Sequence, residues 1–596
     1  MRAADHGARR RVLKNLVQTL LRGGGSDPAP AVTATAAATD RLHVCINQAA
    51  GHAAAGEHAA AASLYRESLE LQPQDARIWC NFGAELNAIG RTDEAELAYR
   101  RALELDPALA QAWYNLGQIE QERGRECEAE TCYRSALALL DPARDHYFWQ
   151  LAYNNWGLLL QNQGRLRDAL KLYREALAAV PADATLRSNM LFLLTAMPDI
   201  DPAESLGEHR AWGKLHARAR AAHANLPDPE RRIRIGYVSA DFYGHPLAFF
   251  VLPLLANRDR ARTETFCYYN GAVQDRITAR LRQSADHWRD IRALSDAGAD
   301  ALIRADGIDI LVDLSGHTAG NRLPLFAAKP APVQVTFLGY ANTTGLDAMD
   351  YRITDSYADP PGADTRYVES LLRMPHSLWC YEPQGAAEPA NPSPMLETGY
   401  VTFASFNGAY KLNQPLVKVW AAILHAVPDS RLLLVNLPAG GARERIVVWL
   451  GAENIDSGRL ELHARLPTDE FWAAHRRADI ALDPFPCNGG ATTCETLWRG
   501  VPVITLAGQS FVGRAGVSLL SNCGLTQLIA GSREEYVALA VELARDPARL
   551  AELRLRLKQN LPRSPLLDAQ AYTQALEAHY RGIWRQWCRQ QGRADA

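Results

Sequence analysis

Apolar and aromatic positions in the first third of the chain recur with a long period. Tyr65, Tyr99 and Tyr133 stand 34 residues apart, as do Gly56, Gly90 and Gly124. Pro73 and Pro107, Trp79 and Trp113, and the pairs Phe82–Gly83 and Leu116–Gly117 keep the same interval of 34. A further copy carries Trp156–Gly157, Gly164, Tyr173 and Pro181, displaced by six residues because DPARDHYFWQLAYNN lengthens the preceding turn. After LPDPERR the pattern changes to short apolar runs separated by helix-like stretches. IRIGYVSAD, TETFCYYN, DIRAL and IDILVDLSG read as strands, with helices at PLAFFVLPLLANR, at about 275–284 and before IDILVDLSG. The series begins afresh at YVTFASFN and continues through SRLLLVNL, RLELHARL, ADIALDPF and VPVITL, with helices at 415–426 and from about 492. Strands alternating with helices at this spacing predict parallel sheets.

The 34-residue unit, with W-x2-LG-x2 in its first helix and A-x3-Y later, resembles the tetratricopeptide repeat, a helix-turn-helix. Each helix pair exposes an apolar stripe that only the next pair can bury, so about three repeats are needed for a stable stack. Three clear copies and a degenerate first helix at 41–56 meet that need. The repeated Tyr, Trp and Ala positions are therefore packing residues. The concave face of the stack is the candidate for binding extended peptides or partner proteins; dimerisation or packing on the next domain would use the same surface.

The expected organisation is a flexible tail (1–40), the repeats (41–195), a helical linker (196–230), a first α/β lobe (231–394) and a second lobe with a C-terminal helix (395–596). The lobes divide near the Pro-rich YEPQGAAEPANPSP at 381–394. The tail contains the basic amphipathic RVLKNLVQTLL, which can be read as a membrane-surface contact or as a frayed terminal helix. It has no continuous apolar segment of the signal-peptide type.

Composition narrows the class. With 596 residues the chain is too long for one core, and 47% hydrophobic with 22% charged residues is ordinary for a water-soluble protein. A net charge of −3 lacks the basic excess of nucleic-acid binders. Ten cysteines, none in a CxxC pair, give neither a zinc pattern nor a disulfide framework and suit a reducing compartment such as the cytoplasm.

Ligands of open α/β sheets bind outside the carboxyl ends of the strands. Four polar, glycine-containing loops fall there: VSADFYGHPLAFF with His245, LVDLSGHTAGNR with His317 and Thr318, FASFNGAYKLNQ with Asn407, Tyr410 and Lys411, and LDPFPCNGGATTCET. The last passes through Asn488, Gly489 and Gly490 into the first turn of a helix at Ala491, Thr492 and Thr493. Glycines there permit close backbone approach, and the free N–H groups of a helix start bind anions.

DFYGHP, DGIDILVDLSGHTAGNRLPLFAAKPAPVQVTFLGYANTTGLDAMDYRITD, FNGAYKLN and CNGGATTCETLWRGVPVITL together resemble the nucleocytoplasmic protein O-glycosyltransferases, both the tetratricopeptide-bearing O-GlcNAc transferases and the SPINDLY-type O-fucosyltransferases. The resemblance covers about residues 50–590. It implies an α-helical tetratricopeptide solenoid followed by a two-lobed α/β glycosyltransferase of the GT-B type, inverting and independent of metal. No cofactor is implied beyond the nucleotide-sugar co-substrate. His245 matches the active-site histidine, base or positioner of the acceptor hydroxyl, and Lys411 the lysine that contacts the donor diphosphate. The segment from Asn488 to Thr493, with Tyr410, is expected at the donor, and Glu495 at the ribose hydroxyls. His317, Thr318 and Gly339 are expected at the sugar pocket.

The chain departs from the O-GlcNAc pattern at Gly490, where a histidine is usual, at Glu495, where an aspartate is usual, and at Gly408, where many relatives carry an amide. The implied activity is transfer of GlcNAc from UDP-GlcNAc to serine or threonine of proteins selected by the repeats. GDP-fucose is the alternative donor. A tetratricopeptide adaptor with an inactive transferase half is a reading of another class, and transfer to small molecules or asparagine a further one. Expected partners are protein or peptide acceptors and the nucleotide sugar, without nucleic acid or stable membrane insertion.

Overall fold

The computed structural model describes residues 36–385 and 392–594. The chain divides into two units, one running up to Leu159 with Ala178–Val180, the other comprising Leu160–Leu177 and Pro181 onward.

In the first unit, helices α1 (Ala36–Ala55), α2 (His58–Leu71), α3 (Ala76–Ala88), α4 (Thr92–Leu105), α5 (Ala110–Glu122) and α6 (Glu126–Leu139) run in antiparallel pairs. α7 (His146–Asn162) and α8 (Leu166–Ala179) continue the series across the division. The sequence period has a packing cause. Tyr99 and Tyr133 are buried with their rings against Gly83 and Gly117, where a Cβ would come within 2.9 Å of the ring in each case. A glycine in one helix thus admits the tyrosine sixteen positions later. The Trp79 and Trp113 indoles donate to the Pro73 and Pro107 carbonyls, both at 2.9 Å. Gly56, Gly90, Gly124 and Gly164 all have positive φ, between 74° and 82°, as a left-handed helix end requires. The first helix starts at Ala36, within the expected tail; readings placed on residues 1–35 lie outside the described residues.

In the second unit α9 (Ala184–Ala196) and α10 (Pro202–Leu215) lead into β1 (Ile233–Ser239). There follow α11 (Ala248–Asn257), β2 (Thr263–Tyr269), α12 (Arg276–Ser284), β3 (His287–Asp290), α13 (Asp296–Ala305), β4 (Ile310–Asp313), β5 (Val333–Thr336), β6 (Tyr351–Asp355) and β7 (Ser370–Met374). These strands form one parallel sheet in the order β3-β2-β1-β4-β5-β6-β7. The second sheet contains β8 (Thr402–Ser405), β9 (Arg431–Leu434), β10 (Leu460–Leu462), β11 (Ile480–Leu482), β12 (Val503–Leu506) and β13 (Ile529–Ala530). Its order is β10-β9-β8-β11-β12-β13, again parallel throughout. Its helices are α14 (Gln414–Ala426), α15 (Gly441–Ala452), α16 (Thr468–Arg476), α17 (Ala491–Trp498), α18 (Ala515–Asn522), α19 (Arg533–Arg545) and α20 (Pro547–Asn560). This is the expected architecture: a tetratricopeptide solenoid followed by two α/β lobes.

Two boundaries differ from expectation. The last helix, α21 (Ala569–Ala594), leaves the second lobe and packs on the first. Its Tyr572, Leu576, Tyr580, Ile583 and Trp584 share a core with Ile233, Ile235 and Tyr237 of β1. Tyr572 donates to the Leu378 carbonyl at 2.7 Å and the Trp584 indole to the Asp228 carbonyl at 2.9 Å. A strongly amphipathic helix after a complete sheet goes wherever an uncovered apolar face remains, and that face belongs to the first lobe. Second, α10, in the stretch expected as a helical linker, packs on the first lobe. A Cβ on Gly213 of α10 would lie 1.8 Å from the Gly345 carbonyl oxygen, so this helix lies directly on a loop of the first lobe.

Candidate functional site

The second lobe presents an uncapped helix start beside a lysine. β11 ends at Asp483, a buried carboxylate that folds the following loop around itself. Its Oδ1 accepts from the Gly489 N–H at 2.7 Å and its Oδ2 from the Thr505 hydroxyl of β12 at 2.8 Å. Burial pushes its pKa up to about 6 against the pull of these donors. Asn488 fixes the loop from within, donating to the Pro484 carbonyl at 2.9 Å and accepting from the Gly516 N–H at 3.3 Å.

The loop delivers Gly490 as the residue preceding α17, and no side chain caps that helix. The first N–H groups of a helix have no partner within it and carry the positive end of its dipole. A Cβ on Gly489 would fall 2.3 Å from the Thr493 hydroxyl and 2.7 Å from that of Thr492, whereas one on Gly490 would meet nothing within 4 Å. Gly489 is thus needed for packing, and Gly490 leaves open space in front of the helix.

Lys411 sits beside this opening. Its ammonium donates to the Asn488 carbonyl at 2.6 Å and to Asn407 Oδ1 at 3.3 Å; the same Asn407 oxygen accepts from the Thr492 hydroxyl at 3.0 Å. Burial lowers the lysine pKa, but the neighbouring Cys487, Tyr410 and Asp483 outweigh it and the net shift is upward, so the cation is held at neutral pH. The Tyr410 ring lies 5.9 Å from the ammonium and 5.9 Å from the Phe192 ring of α9. Lys411, Tyr410, Asn488, Gly489, Gly490, Ala491, Thr492 and Thr493 therefore lie together at one helix start. Glu495, one turn into α17, is buried with Oε1 accepting from Arg499 at 2.8 Å and Oε2 from the Tyr381 hydroxyl at 2.5 Å.

His245 occupies the loop after β1 in the first lobe, with 40% of its side chain exposed. The Leu247 N–H donates to Nδ1 at 3.3 Å, which places the proton of the neutral ring on Nε2. Asp241 Oδ2 is 3.8 Å from Nδ1. Burial lowers the His245 pKa; Asp241 opposes this, and Arg465 of the second lobe reinforces it. The ring is neutral near pH 7.

The three residues expected at a sugar pocket each have identifiable local contacts. His317 is fully buried, with Nδ1 3.0 Å from the Ser188 hydroxyl of α9 and Nε2 2.9 Å from the Thr344 carbonyl. Both ring nitrogens are engaged, and burial holds its pKa well below the ordinary value, so it braces the loop against α9. Gly339 lies beneath the β4 loop, where a Cβ would fall 2.0 Å from the Leu314 carbonyl oxygen. Its need is close backbone approach. Thr318 is half-buried, its hydroxyl donating to the Ser315 carbonyl at 2.8 Å.

Sequence reasoning gave no role to Asp483 or to the partners of the β5 loop, Tyr340 and His209. The Tyr340 hydroxyl donates to the Leu191 carbonyl at 3.1 Å and lies 2.7 Å from His209 Nε2. For Asp483 a signal existed: an aspartate ending a strand before a glycine-rich loop. For His209 there was none, because its partner lies 131 positions away.

Comparison with known proteins bears on the family. The profile named Glycosyl transferase family 41 matches residues 212–384 and 394–576, and tetratricopeptide repeat profiles match 83–124, 110–139 and 154–189. A probable UDP-N-acetylglucosamine--peptide N-acetylglucosaminyltransferase SPINDLY of Petunia hybrida is 42% identical over 390 residues, covering 64% of this chain and 42% of that protein. The protein of similar name from Arabidopsis thaliana, SEC, is 33% identical over 371 residues, covering 60% of this chain and 38% of that one. The chain thus spans about two fifths of the length of these relatives. A solved Thermobaculum terrenum O-GlcNAc transferase mutant superposes with a TM-score of 0.78 at 34% identity, covering 87% of this chain and 98% of that one. Among the described residues no helix is long and apolar enough to cross a membrane. With both lobes matched, over more than half of its length, the chain belongs to glycosyl transferase family 41.

Proposed function

We propose that this protein transfers GlcNAc from UDP-GlcNAc to serine or threonine hydroxyls of proteins, with inversion at the anomeric carbon. The observation that carries the reading is the uncapped start of α17 with the Lys411 ammonium beside it. That arrangement suits a diphosphate, whose negative charge grows as the sugar departs. A fixed cation and oriented N–H groups are most effective where charge develops. His245 Nε2–H donates to the acceptor hydroxyl and turns an oxygen lone pair toward the anomeric carbon. The new C–O bond forms as the bond to the diphosphate breaks; the diphosphate takes the electron pair and the hydroxyl proton passes to solvent. The names of the Petunia and Arabidopsis relatives support a peptide acceptor and the UDP-GlcNAc donor, and the repeats supply a surface on which acceptors can be selected.

Thermal shift with UDP-GlcNAc, GDP-fucose, UDP and GDP tests the donor. A ligand at 100 times its Kd stabilises the folded state by about 2.7 kcal/mol. Stabilisation by UDP-GlcNAc and UDP is expected; a response to GDP-fucose and GDP alone overturns the choice of sugar, and no response to any of them favours an inactive adaptor. Lys411→Ala should lower kcat/KM by roughly 10²- to 10³-fold, and wild-type turnover in that variant would refute the site.

A further inference from the structure

We propose that Asp275 is a positioning residue for His245, acting through the backbone of Gly244. The proposal rests on the placement of His245 at the reacting hydroxyl, and its test is arranged to separate the two.

Asp275 precedes α12 and divides its two oxygens between two tasks. Oδ1 accepts from the Ile277 and Thr278 N–H groups, both at 2.9 Å, and the Thr278 hydroxyl accepts in return from the Asp275 N–H at 3.2 Å. That is a capping box, and it uses Oδ1. Oδ2 reaches away from the helix and accepts from the Gly244 N–H at 2.7 Å, 31 positions earlier in the chain. Gly244 is the residue immediately before His245. Within the loop Asp241 N–H donates to the Ser239 hydroxyl at 2.9 Å and Tyr243 N–H to the Asp241 carbonyl at 2.9 Å, and Phe242 is buried in the first-lobe core ahead of Gly244.

Helix α12 is itself anchored in the first-lobe core through Ile277 and Leu281. The Tyr269 hydroxyl at the end of β2 donates to the Val273 carbonyl at 2.6 Å, which fixes the approach to Asp275. A rigid element thus reaches across to the peptide that carries the histidine. Burial raises the Asp275 pKa, but the Thr278 and Gly244 N–H bonds outweigh it and the net shift is downward, so the group is an acceptor-only carboxylate near neutral pH. The arrangement also explains a glycine at 244, where a Cβ would lie 2.9 Å from Oδ2.

Asp275→Asn separates the two tasks. Asparagine is as good a helix cap as aspartate, so its oxygen keeps the bonds to Ile277 and Thr278 while its NH2 group faces the Gly244 N–H, donor against donor. The helix survives and the loop anchor is lost. With UDP-GlcNAc and a mixed Ser/Thr peptide library as acceptor, kcat should fall about tenfold with donor KM within about twofold, since misplacement by about 1 Å can cost up to about 10²-fold. The melting temperature should stay within about 2 °C of wild type, because the helix cap is kept. Asp275→Ser, which caps but is too short to reach Gly244, should behave alike. In a His245→Ala background Asp275→Asn should cost little more, because the side chain it positions is gone. Wild-type kcat in both Asp275 variants, or full additivity with His245→Ala, overturns the proposal. Wild-type turnover of His245→Ala alone overturns the underlying placement of the histidine instead.

Discussion

The two lobes solve the same local problem with the same device and reach opposite ends. In the first lobe Asp313 closes β4, its carboxylate accepting from the N–H groups of Ser315 and Gly316 at 2.9 to 3.1 Å and from the Thr336 hydroxyl of the next strand at 2.9 Å. In the second lobe Asp483 closes β11 and accepts from the Gly489 N–H and the Thr505 hydroxyl of the next strand. Each buried carboxylate curls a glycine-containing loop over a strand end. The first loop is then sealed by α9 through the Ser188–His317 bond, and the β5 loop beside it through the Leu191–Tyr340 bond. The second runs into an uncapped helix with space before it. A polar loop at a strand end is thus closed off or left open according to what packs on it.

The sharpest way to break this contrast is to remove the seal. His317→Ala leaves the Ser188 hydroxyl and the Thr344 carbonyl without their buried partner and opens a cavity, costing about 3 to 5 kcal/mol. His245→Ala, in the partly exposed loop of the same sheet, should stay within about 0.5 kcal/mol of wild type. Chemical denaturation of both measures the difference; equal losses would make His317 no more a brace than His245.

The seal also has a pH signature. Burial lowers the His209 pKa to about 4, partly offset by its bond to the Ser205 carbonyl and deepened by Arg352. Between the ordinary value of 6.5 and about 4 the unfolded chain binds the extra proton, so this contribution is complete above pH 6.5 and is lost on acidification. A shift of this size corresponds to about 3 kcal/mol. The stability difference between wild type and His209→Gln should therefore fall by up to that amount from pH 7 to 4. A difference constant with pH would refute a neutral, buried imidazole there.

On the open side, the effects are smaller and fall on the donor. Gly489→Ala forces the Thr492 and Thr493 hydroxyls aside, an overpacking worth about 1 to 3 kcal/mol, and should weaken UDP binding about tenfold or more by calorimetry. Gly490→Ala enters open space and should change it by about threefold or less. Equal losses in the two variants would mean that the helix start is not the open seat described.

Much of this was legible in the chain. The 34-residue period was readable because Tyr99 and Tyr133 pack on Gly83 and Gly117, each pair within one repeat. The glycine-rich entry to α17 was readable because a short loop and a helix start are local events. Lys411 was found by family resemblance, and in the structure its ammonium is held by Asn407 and the Asn488 carbonyl beside the start of α17. Glu495 was read toward the ribose, yet its oxygens hold Arg499, four positions on, and Tyr381, 114 positions back. The first partner could have been read from helical spacing; the second could not.

Sequence by itself determined the periodicities, the alternation of strands and helices, and the residue types at each loop, because these depend on neighbours within a turn, a hairpin or one repeat. Tertiary structure alone decided that α21 completes the first lobe, that α9 and α10 belong to the transferase unit, and that His317 is a brace while His245 is left partly exposed. The physical reason is that burial and hydrogen-bond satisfaction are settled by surfaces brought together from distant parts of the chain. Two histidines with the same local setting, each after a glycine at a strand end, acquire opposite roles from what covers them.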